Sequence, residues 1–305
     1  MHVNNSFKLK LIFPCTFQAN EPFNPFTFST IYHLPYGMGI LTALLRKHNY
    51  YVEQEDLSII KFNRYGSVFL ATSIFRNLLT LIFKNINDLD IWRHANEVHS
   101  FLKSNESKNQ LNLLIDKIFT STSVEEFNVI GFSIFTFFHF IFALMLSKKI
   151  KQRTHAPIVF GGPFISLYGK LYPEVFEFID YMIVNDGGIP LLRLIDYLKH
   201  KISIFEVPNL IYRDNGNLIT NPKAHYPIED MPMPDFDGLP LHLYRHKYNS
   251  RILFPYQISR GCTSRCSFCV YICIDNKLEF KSYDKVLHEL RQMKEKYKIK
   301  ISPVQ

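Results

Sequence analysis

The sequence VIGFSIFTFFHFIFALML occupies residues 129–146, and His139 is its only strongly polar residue. An apolar run of about 18 residues is at the threshold for a helix that crosses a membrane. Its first half, however, is rich in β-branched and aromatic residues, which favours a buried parallel strand. Its second half continues into a lysine-rich segment, as an amphipathic helix would. We therefore predict a strand at 129–135 and a helix to about residue 151, and we expect no membrane span.

Short apolar strands also alternate with helices on both sides of this stretch. Strands are predicted at 8–13, 50–56, 157–160 and 181–184, and helices at 40–48, 67–117 and 191–200. Strands that alternate with helices indicate a parallel sheet covered by helices on both faces. The predicted fold class is therefore α/β, with an N-terminal doubly wound, Rossmann-like parallel sheet.

Glycine pairs follow two of the predicted strands, at Gly161-Gly162 and within Asn185-Asp-Gly-Gly188. Ligands of such sheets bind outside the carboxyl ends of the strands, where glycine allows a close approach to the backbone. Neither pair is a dinucleotide fingerprint, and the chain has no Walker A loop. Two ordinary turns between a strand and a helix are the alternative interpretation.

The character of the sequence changes after residue 204. A hairpin with an Asn215-Gly216 turn is predicted at 209–220. The proline-rich segment 226–240 cannot continue a helix or an inner strand, so it is interpreted as an ordered linker. A strand at 252–258 and a helix at 281–298 follow. The predicted domains are 1–204 (α/β), 205–249 (hairpin and linker) and 250–305.

The composition and charge of the chain indicate a globular protein and do not favour nucleic-acid binding. Of the 305 residues, 47% are hydrophobic and 20% are charged, which is typical of a globular protein. The net charge is +8, and the segment 281–300 has seven Lys or Arg against three Asp or Glu. We interpret this segment as a solvated helix face and expect no nucleic-acid partner. The N-terminal segment lacks the pattern of a secretory signal and the cysteine count is odd, so a reducing, cytoplasmic location is expected.

Three of the five cysteines lie within eight residues, in Ser259-Arg-Gly-Cys262-Thr-Ser-Arg-Cys266-Ser-Phe-Cys269. Three thiolates spaced C-x3-C-x2-C in one loop can hold three irons of a [4Fe–4S] cluster and leave the fourth iron open, whereas electron-transfer clusters usually have four thiolates. The metal ligands predicted here are therefore Cys262, Cys266 and Cys269.

Cys273 keeps two other interpretations open. It extends the motif to four cysteines, which could close a tetrahedral zinc site. Zinc sites, however, usually pair two short clusters that lie a dozen or more residues apart. A ferredoxin-type cluster is the other alternative, but its bacterial motif has x2, x2, x3 spacing and a following proline, whereas this chain begins with x3 and continues with Ile274.

Taken together, these motifs resemble the radical S-adenosylmethionine (radical SAM) proteins that carry an N-terminal cobalamin (B12)-binding domain. The resemblance covers most of the chain from about residue 8. Its motifs, in order, are the Pro35/Gly37 loop, Ile130-Gly-Phe-Ser133, Ile158-Val-Phe-Gly-Gly-Pro163, residues 180–188, Met231-Pro-Met-Pro-Asp-Phe236 and Ser259-Arg-Gly-Cys262. The fold that it implies is a B12-binding α/β domain followed by the start of a (β/α) radical SAM barrel.

The resemblance also implies the chemistry. The three cysteines would hold a [4Fe–4S] cluster, SAM would chelate the open iron, and reductive cleavage would yield a 5′-deoxyadenosyl radical. Phe268 would lie against the adenine of SAM; packing beneath the loop is the alternative. An electron donor such as flavodoxin or ferredoxin would supply the electron. The reaction would be a methyl transfer or rearrangement at an unactivated carbon of a small molecule, peptide or lipid, and no catalytic side chain is identified beyond the cluster ligands.

Cobalamin would lie over the carboxyl ends of the first-domain strands. Its candidate contacts are Ser133, Gly161, Gly162, Asn185, Asp186 and Gly187. The chain lacks the Asp-x-His-x-x-Gly motif that provides a histidine ligand in many B12 enzymes, and none of its twelve histidines has Asp two positions earlier. Bound cobalamin is therefore expected to lack that ligand. Asn185-Asp-Gly-Gly188 also departs from the Gly-Glu-Gly-Glu-like pattern usual in the family.

The length of the chain is the strongest departure from the family. A radical SAM barrel needs roughly 200 residues, and only about 55 residues follow Asn249. We therefore expect a truncated or split form of the enzyme that cannot complete the catalytic barrel alone. The alternative function is a non-catalytic corrinoid-binding module or inactive fragment, and a four-cysteine zinc protein is the third possibility.

Overall fold

A seven-stranded sheet organises the first two thirds of the chain. The computed structural model describes residues 7–14, 34–59, 115–116, 119, 122–244, 252–270, 274 and 277–299. Almost all of the helical region predicted at 67–117 lies outside these residues. The strands of the sheet are β1 (Lys8–Phe13), β2 (Tyr51–Asp56), β3 (Val129–Ser133), β4 (Ile158–Gly161), β5 (Tyr181–Ile183), β6 (Leu210–Asp214) and β7 (Asn217–Thr220).

The strand order is β2-β1-β3-β4-β5-β6-β7. The first five strands are parallel, and β6 and β7 extend the sheet antiparallel beyond β5. The predicted hairpin thus forms one edge of this sheet. The order reverses between β1 and β3, and such a switch point opens a crevice outside the carboxyl ends of the strands, where ligands bind.

The helices that connect the strands cover both faces of the sheet. They are α1 (Tyr36–Lys47), α2 (Phe137–Lys151), α3 (Pro163–Tyr168) and α4 (Gly188–Leu198). Successive side chains of a strand point to opposite faces, and this divides the core in two. Ile130 and Phe132 join one hydrophobic cluster with α2 and α3, whereas Val129 joins the other cluster with α1 and α4. The doubly wound α/β class is confirmed.

The apolar stretch at 129–146 forms strand β3 followed by helix α2. Thr136 caps the helix, since its Oγ1 accepts a hydrogen bond from the backbone N–H of His139 at 3.3 Å. Residues 142–147, in the middle of α2, are all buried, as is typical of a helix that is apolar around its whole circumference. Among the helices that the structure describes, none is long and apolar enough to span a membrane.

The segment after the linker forms a short antiparallel pair and one helix. Strand β8 (Ser259–Arg260) pairs with β9 (Glu279–Phe280), and α5 (Tyr283–Tyr297) follows with Ser282 as its N-cap. The strand predicted at 252–258 is wrong, because residues 253–257 have no strand conformation. Pro255 lacks an amide hydrogen, so its backbone cannot donate to a ladder, and regular pairing begins only at Ser259.

Candidate functional site

The cysteine loop (residues 261–269) lies between β8 and β9. Pairing of Arg260 with Glu279 and the hydrogen bond from the N–H of Lys281 to the carbonyl of Ile258 hold together the two ends of the segment that contains it. Gly261 has a φ of +83°, and a Cβ at this position would lie 2.0 Å from the carbonyl oxygen of Lys277. Only glycine therefore fits at the first residue of the loop.

The three predicted metal ligands are accessible thiols. Cys262 and Cys266 are exposed and Cys269 is half-buried. The backbone N–H of Ser264 donates to the Sγ of Cys262 at 3.4 Å, and the N–H of Cys269 donates to the carbonyl of Cys266 at 3.0 Å. Hydrogen bonds to sulfur are among the features that tune iron–sulfur clusters. The donor set and its accessibility therefore fit a cluster.

The loop does not gather these thiols into a finished metal site. Among the described residues, no group of three His, Cys, Asp or Glu side chains has a metal-binding arrangement. Cys273, on which the four-cysteine alternatives depend, lies outside the described residues. The thiols would therefore have to converge when a cluster is assembled, as is common for sites that form together with their metal.

Phe268 projects into solvent beside the cysteines. It is 88% exposed, so it does not pack beneath the loop. Phe280 and Tyr283, which follow the loop in sequence, are also largely exposed. Exposed aromatic side chains next to a candidate ligand site offer flat apolar faces on which a purine can stack.

Four of the predicted cobalamin contacts lie at the carboxyl edge of the sheet. Ser133 and Gly161 are register partners at the ends of β3 and β4. Gly162 has a φ of +102°, and a Cβ there would lie 2.5 Å from the carbonyl oxygen of Ile134. The Ser166 hydroxyl donates to the carbonyl of Gly162 at 3.1 Å and accepts from the N–H of Asn185 at 2.7 Å. These contacts join the ends of β3, β4 and β5 into one surface.

The remaining predicted contacts lie in the turn between β5 and α4 (residues 184–187), called here the β5–α4 turn. A Cβ at Gly187 would lie 3.4 Å from Leu41, and one at Gly188 would lie 2.8 Å from Leu44. These two glycines therefore allow α4 to pack against α1. Asp186 forms an ion pair with Arg260, the residue two positions before Cys262. Its carboxylate thus faces the cysteine-loop segment.

A buried neutral histidine lies at the switch point between β1 and β3. His139 is 5% exposed, and its ring meets the ring of Phe13 edge-on at 4.9 Å between centroids. Burial lowers the pKa of His139 to about 4. Its Nδ1 has no hydrogen-bond partner within the part of the chain that the structure describes. The imidazole is therefore uncharged at neutral pH and gives this edge a polar but neutral group.

Asp235, in the proline-rich segment, joins α1 and β2 to helix α5. Its carboxylate forms ion pairs with Arg46 of α1 and with Lys296 of α5, each at 2.8 Å. Its backbone carbonyl accepts a hydrogen bond from Gln54 of β2 at 3.0 Å. The next residue, Phe236, is fully buried, and its backbone N–H donates to the hydroxyl of Tyr297 at 2.8 Å. These contacts hold this part of the proline-rich segment against α1, β2 and α5.

The ion pairs of Asp235 predict an acid-sensitive contribution to stability. Burial raises the pKa of this carboxyl, but hydrogen bonds from Lys296, the backbone N–H of Asp237 and Arg46 outweigh burial, so the pKa falls from 3.8 to about 2. Because the folded pKa is depressed, the contribution is complete above about pH 5 and is lost as the pH falls from about 4 to 2. A shift of this size corresponds to about 2 kcal/mol.

Urea unfolding of wild type and Asp235→Asn at several pH values checks this prediction. The difference in unfolding free energy is expected to be about 2 kcal/mol at pH 7 and to shrink below pH 4. Asp214→Asn, on an exposed strand end, is the control. A difference between wild type and Asp235→Asn that is independent of pH would contradict the assignment.

Comparison with known proteins identifies the fold. No protein-family model matches the sequence, and no curated protein matches it. One similar structure is that of OxsB, a cobalamin-dependent S-adenosylmethionine radical enzyme solved with aqua-cobalamin and SAM bound. It matches 97% of this chain with a TM-score of 0.61 at 19% sequence identity. Another is that of TsrM, a radical SAM methyltransferase from Kitasatospora setae solved with cobalamin and a [4Fe–4S] cluster bound. It matches 95% of this chain with a TM-score of 0.56 at 16% sequence identity. The chain has the fold of the cobalamin-dependent radical SAM enzymes.

The match extends through both parts of the chain, because 95–97% coverage includes the segment with the cysteine loop as well as the sheet. The cobalamin-dependent radical SAM fold predicted from the sequence is thus confirmed. The chain spans about a third of the length of OxsB, 33%, and about half that of TsrM, 47%.

Two sets of contacts around the cysteine-loop segment involve residues that no sequence pattern singled out. Lys281 and Glu289 form a buried ion pair at 2.6 Å, and the hydroxyl of Tyr256 donates to the same carboxylate at 2.6 Å. The only sequence signal was the i,i+4 spacing of Lys285 and Glu289, which is common on solvated helices. Arg260 was noted as part of the motif, but its partners come from three separate segments.

Proposed function

We propose that this chain belongs functionally to the cobalamin-binding class of radical SAM enzymes and that its cysteine loop holds a [4Fe–4S] cluster. The observation that carries the proposal is the accessible C-x3-C-x2-C loop, which follows directly on Arg260, the partner of Asp186 at the carboxyl edge of the sheet. Cys262, Cys266 and Cys269 would each bind one iron. SAM would bind at the remaining iron, with Phe268 against its adenine.

The bound cluster and SAM would supply a 5′-deoxyadenosyl radical. The residues of this chain would position these groups and limit their access to water, which is the general task of a protein that uses such cofactors. Gly261 sets the direction in which the loop leaves β8, and the β8–β9 pair holds its base. An electron carrier such as flavodoxin or ferredoxin would reduce the cluster.

Cobalamin would lie over the carboxyl edge of the sheet. The turn at Gly161 and Gly162 is supported as a contact because it lies at this edge and is held there by Ser166 and Asn185. Ser133 ends the neighbouring strand. The class of reaction that fits is a methyl transfer or rearrangement at an unactivated carbon, with a small molecule, peptide or lipid as the substrate class.

Cluster assembly on cysteine variants tests the first half of the proposal. Wild type, made anaerobically and reconstituted with iron and sulfide, is expected to bind about four irons per chain, and SAM is expected to perturb its EPR spectrum. Ala at any of the three ligand positions should remove most of the iron. Cys273→Ala is the matched control and should load like wild type. Loss of metal in this control, or a bound zinc instead of iron, would overturn the assignment.

Titration with hydroxocobalamin tests the second half. Binding is expected to change the visible absorption bands of the corrinoid, whether or not the cysteines are present. Corrinoid binding without any cluster would favour the second function, a non-catalytic corrinoid-binding module. No binding by a folded chain would overturn the cobalamin site.

A further inference from the structure

The guanidinium of Arg260 gathers three separate segments of the chain. It donates to the carboxylate of Asp186 in the β5–α4 turn and to the backbone carbonyl of Tyr226 in the linker. It also lies 3.5 Å from the carboxylate of Glu279 in β9. The side chain of Arg260 is 7% exposed, so water screens these ion pairs only weakly.

Asp186 and Glu279 have further contacts that fix the position of the guanidinium. The backbone N–H of Tyr226 donates to Asp186 at 3.4 Å. Glu279 accepts from the N–H of Ile228 at 3.3 Å and contacts the Nε2 of His225 at 2.7 Å. The planar, bidentate geometry of arginine allows one side chain to hold several acceptors at fixed angles. The β5–α4 turn, the linker and the β8–β9 pair are therefore joined at one point.

The ion pair between Arg260 and Asp186 connects the two candidate cofactor sites. Arg260 lies two residues before Cys262, and Gly261, between them, is held against the backbone of Lys277. Asp186 lies in a turn at the carboxyl edge of the sheet, directly after Asn185, whose N–H is bound by Ser166. A movement of Arg260 is therefore transmitted to the β5–α4 turn at the candidate cobalamin site. A movement of Asp186 is likewise transmitted to the base of the cysteine loop.

We propose that Arg260 is a positioning residue that sets the cysteine loop against the carboxyl edge of the sheet, and that its ion pair with Asp186 couples binding at the two candidate cofactor sites. This inference rests on the proposed function for the identity of the two ligands, but the positioning itself depends only on contacts within the chain. By linkage, an iron–sulfur cluster that favours the ordered loop tightens corrinoid binding, and the corrinoid stabilises the loaded loop by the same factor.

Hydrogen exchange on the cofactor-free full chain tests the positioning. Asp186→Asn keeps the size of the side chain and removes its charge, and it is expected to raise exchange at least about fivefold at residues 256–260 and 278–282, far from position 186 in sequence. Exchange in β1 and β3 should stay unchanged. Asp214→Asn, an exposed aspartate of the same sheet, is the matched control. Unchanged exchange at 256–260 in Asp186→Asn overturns the inference whatever the cofactors do.

Hydroxocobalamin binding with and without the reconstituted cluster tests the coupling. In wild type the cluster is expected to lower the Kd of hydroxocobalamin by about fivefold or more. In Asp186→Asn and Arg260→Gln this factor should fall to about one, and Arg260→Lys should recover part of it because the charge remains. Arg213→Gln, an exposed arginine, should behave like wild type.

The hydrogen-exchange and hydroxocobalamin-binding experiments distinguish a failure of the proposed function from a failure of the coupling. A loop that responds to Asp186→Asn in a chain that takes up neither cofactor overturns the proposed function and supports the positioning. If the chain binds both cofactors and the cluster changes the Kd of hydroxocobalamin by the same factor in every variant, the coupling through Arg260 is overturned and the proposed function stands.

Discussion

Glu289→Gln is expected to lower the unfolding free energy of the chain by about 3–5 kcal/mol, because it leaves a buried ammonium without its counter-charge. The side chain of Lys281 is fully buried and that of Glu289 is 6% exposed, with 2.6 Å between Nζ and Oε2. Tyr256 donates to the same oxygen, and the ammonium also lies 4.7 Å from the centre of its ring. Urea unfolding followed by circular dichroism measures the loss.

Two further variants show whether the buried charge is the cause. Glu295→Gln changes an exposed residue of the same helix, and it should alter the stability by less than about 0.5 kcal/mol. The double variant Lys281→Met/Glu289→Leu removes both charges, and it should recover most of the loss because the cost of one unpaired ion disappears. A double variant that is less stable than Glu289→Gln would contradict this account.

Gly261→Ala is expected to abolish cluster loading as well as to destabilise the chain. The backbone at this position has a φ of +83°, and the new methyl group would lie 2.0 Å from the carbonyl oxygen of Lys277. Real Cβ atoms do not approach a backbone oxygen so closely, so the β8–β9 pair must open or the cysteine loop must leave β8 in another direction. Iron content and the EPR spectrum after anaerobic reconstitution measure the loss of loading.

Gly216→Ala is the matched control for this variant. Its φ is +82°, but no atom lies within 4 Å of a Cβ at that position. Gly216→Ala therefore has the backbone strain of a left-handed conformation, about 1–2 kcal/mol, but its methyl group does not overlap another atom. The destabilisation by Gly261→Ala should exceed it by about 2 kcal/mol or more, and only Gly216→Ala should load iron normally. Full loading of Gly261→Ala would show that the loop does not depend on this contact.

The periodicity of the sequence was sufficient to predict the five parallel strands of the sheet, but not that the hairpin β6–β7 extends it. Strands β1 to β5 and helices α1, α2 and α4 lie within a few residues of their predicted positions, because buried parallel strands need continuous apolar runs and turns need glycine or proline. The strand predicted at 252–258 failed for a physical reason. Pro255 interrupts this apolar run, and a residue without an amide hydrogen cannot donate to a ladder.

Burial of charged residues could not be predicted in the same way. Lys10 is 2% exposed in β1, and it forms ion pairs with Glu53 and Glu55 of β2 at 2.6 and 2.9 Å. Lys281 is another buried lysine of this kind. A lysine is almost never fully buried unless it is paired, and its partner is known only when the neighbouring strand or helix is in place.

The features of the candidate site also fall into two groups, those that local sequence predicts and those that only the tertiary structure decides. Local sequence alone determined the cysteine spacing, the glycine turns at strand ends and the proline-rich linker, because these depend on the chemistry and conformational freedom of adjacent residues. Tertiary structure alone decided that Asp186 faces Arg260, that Asp235 lies between α1 and α5, and that Phe268 is exposed. Asp186 and Arg260 are 74 residues apart in sequence, and a contact between residues so distant depends on how the whole chain packs, which no local pattern encodes.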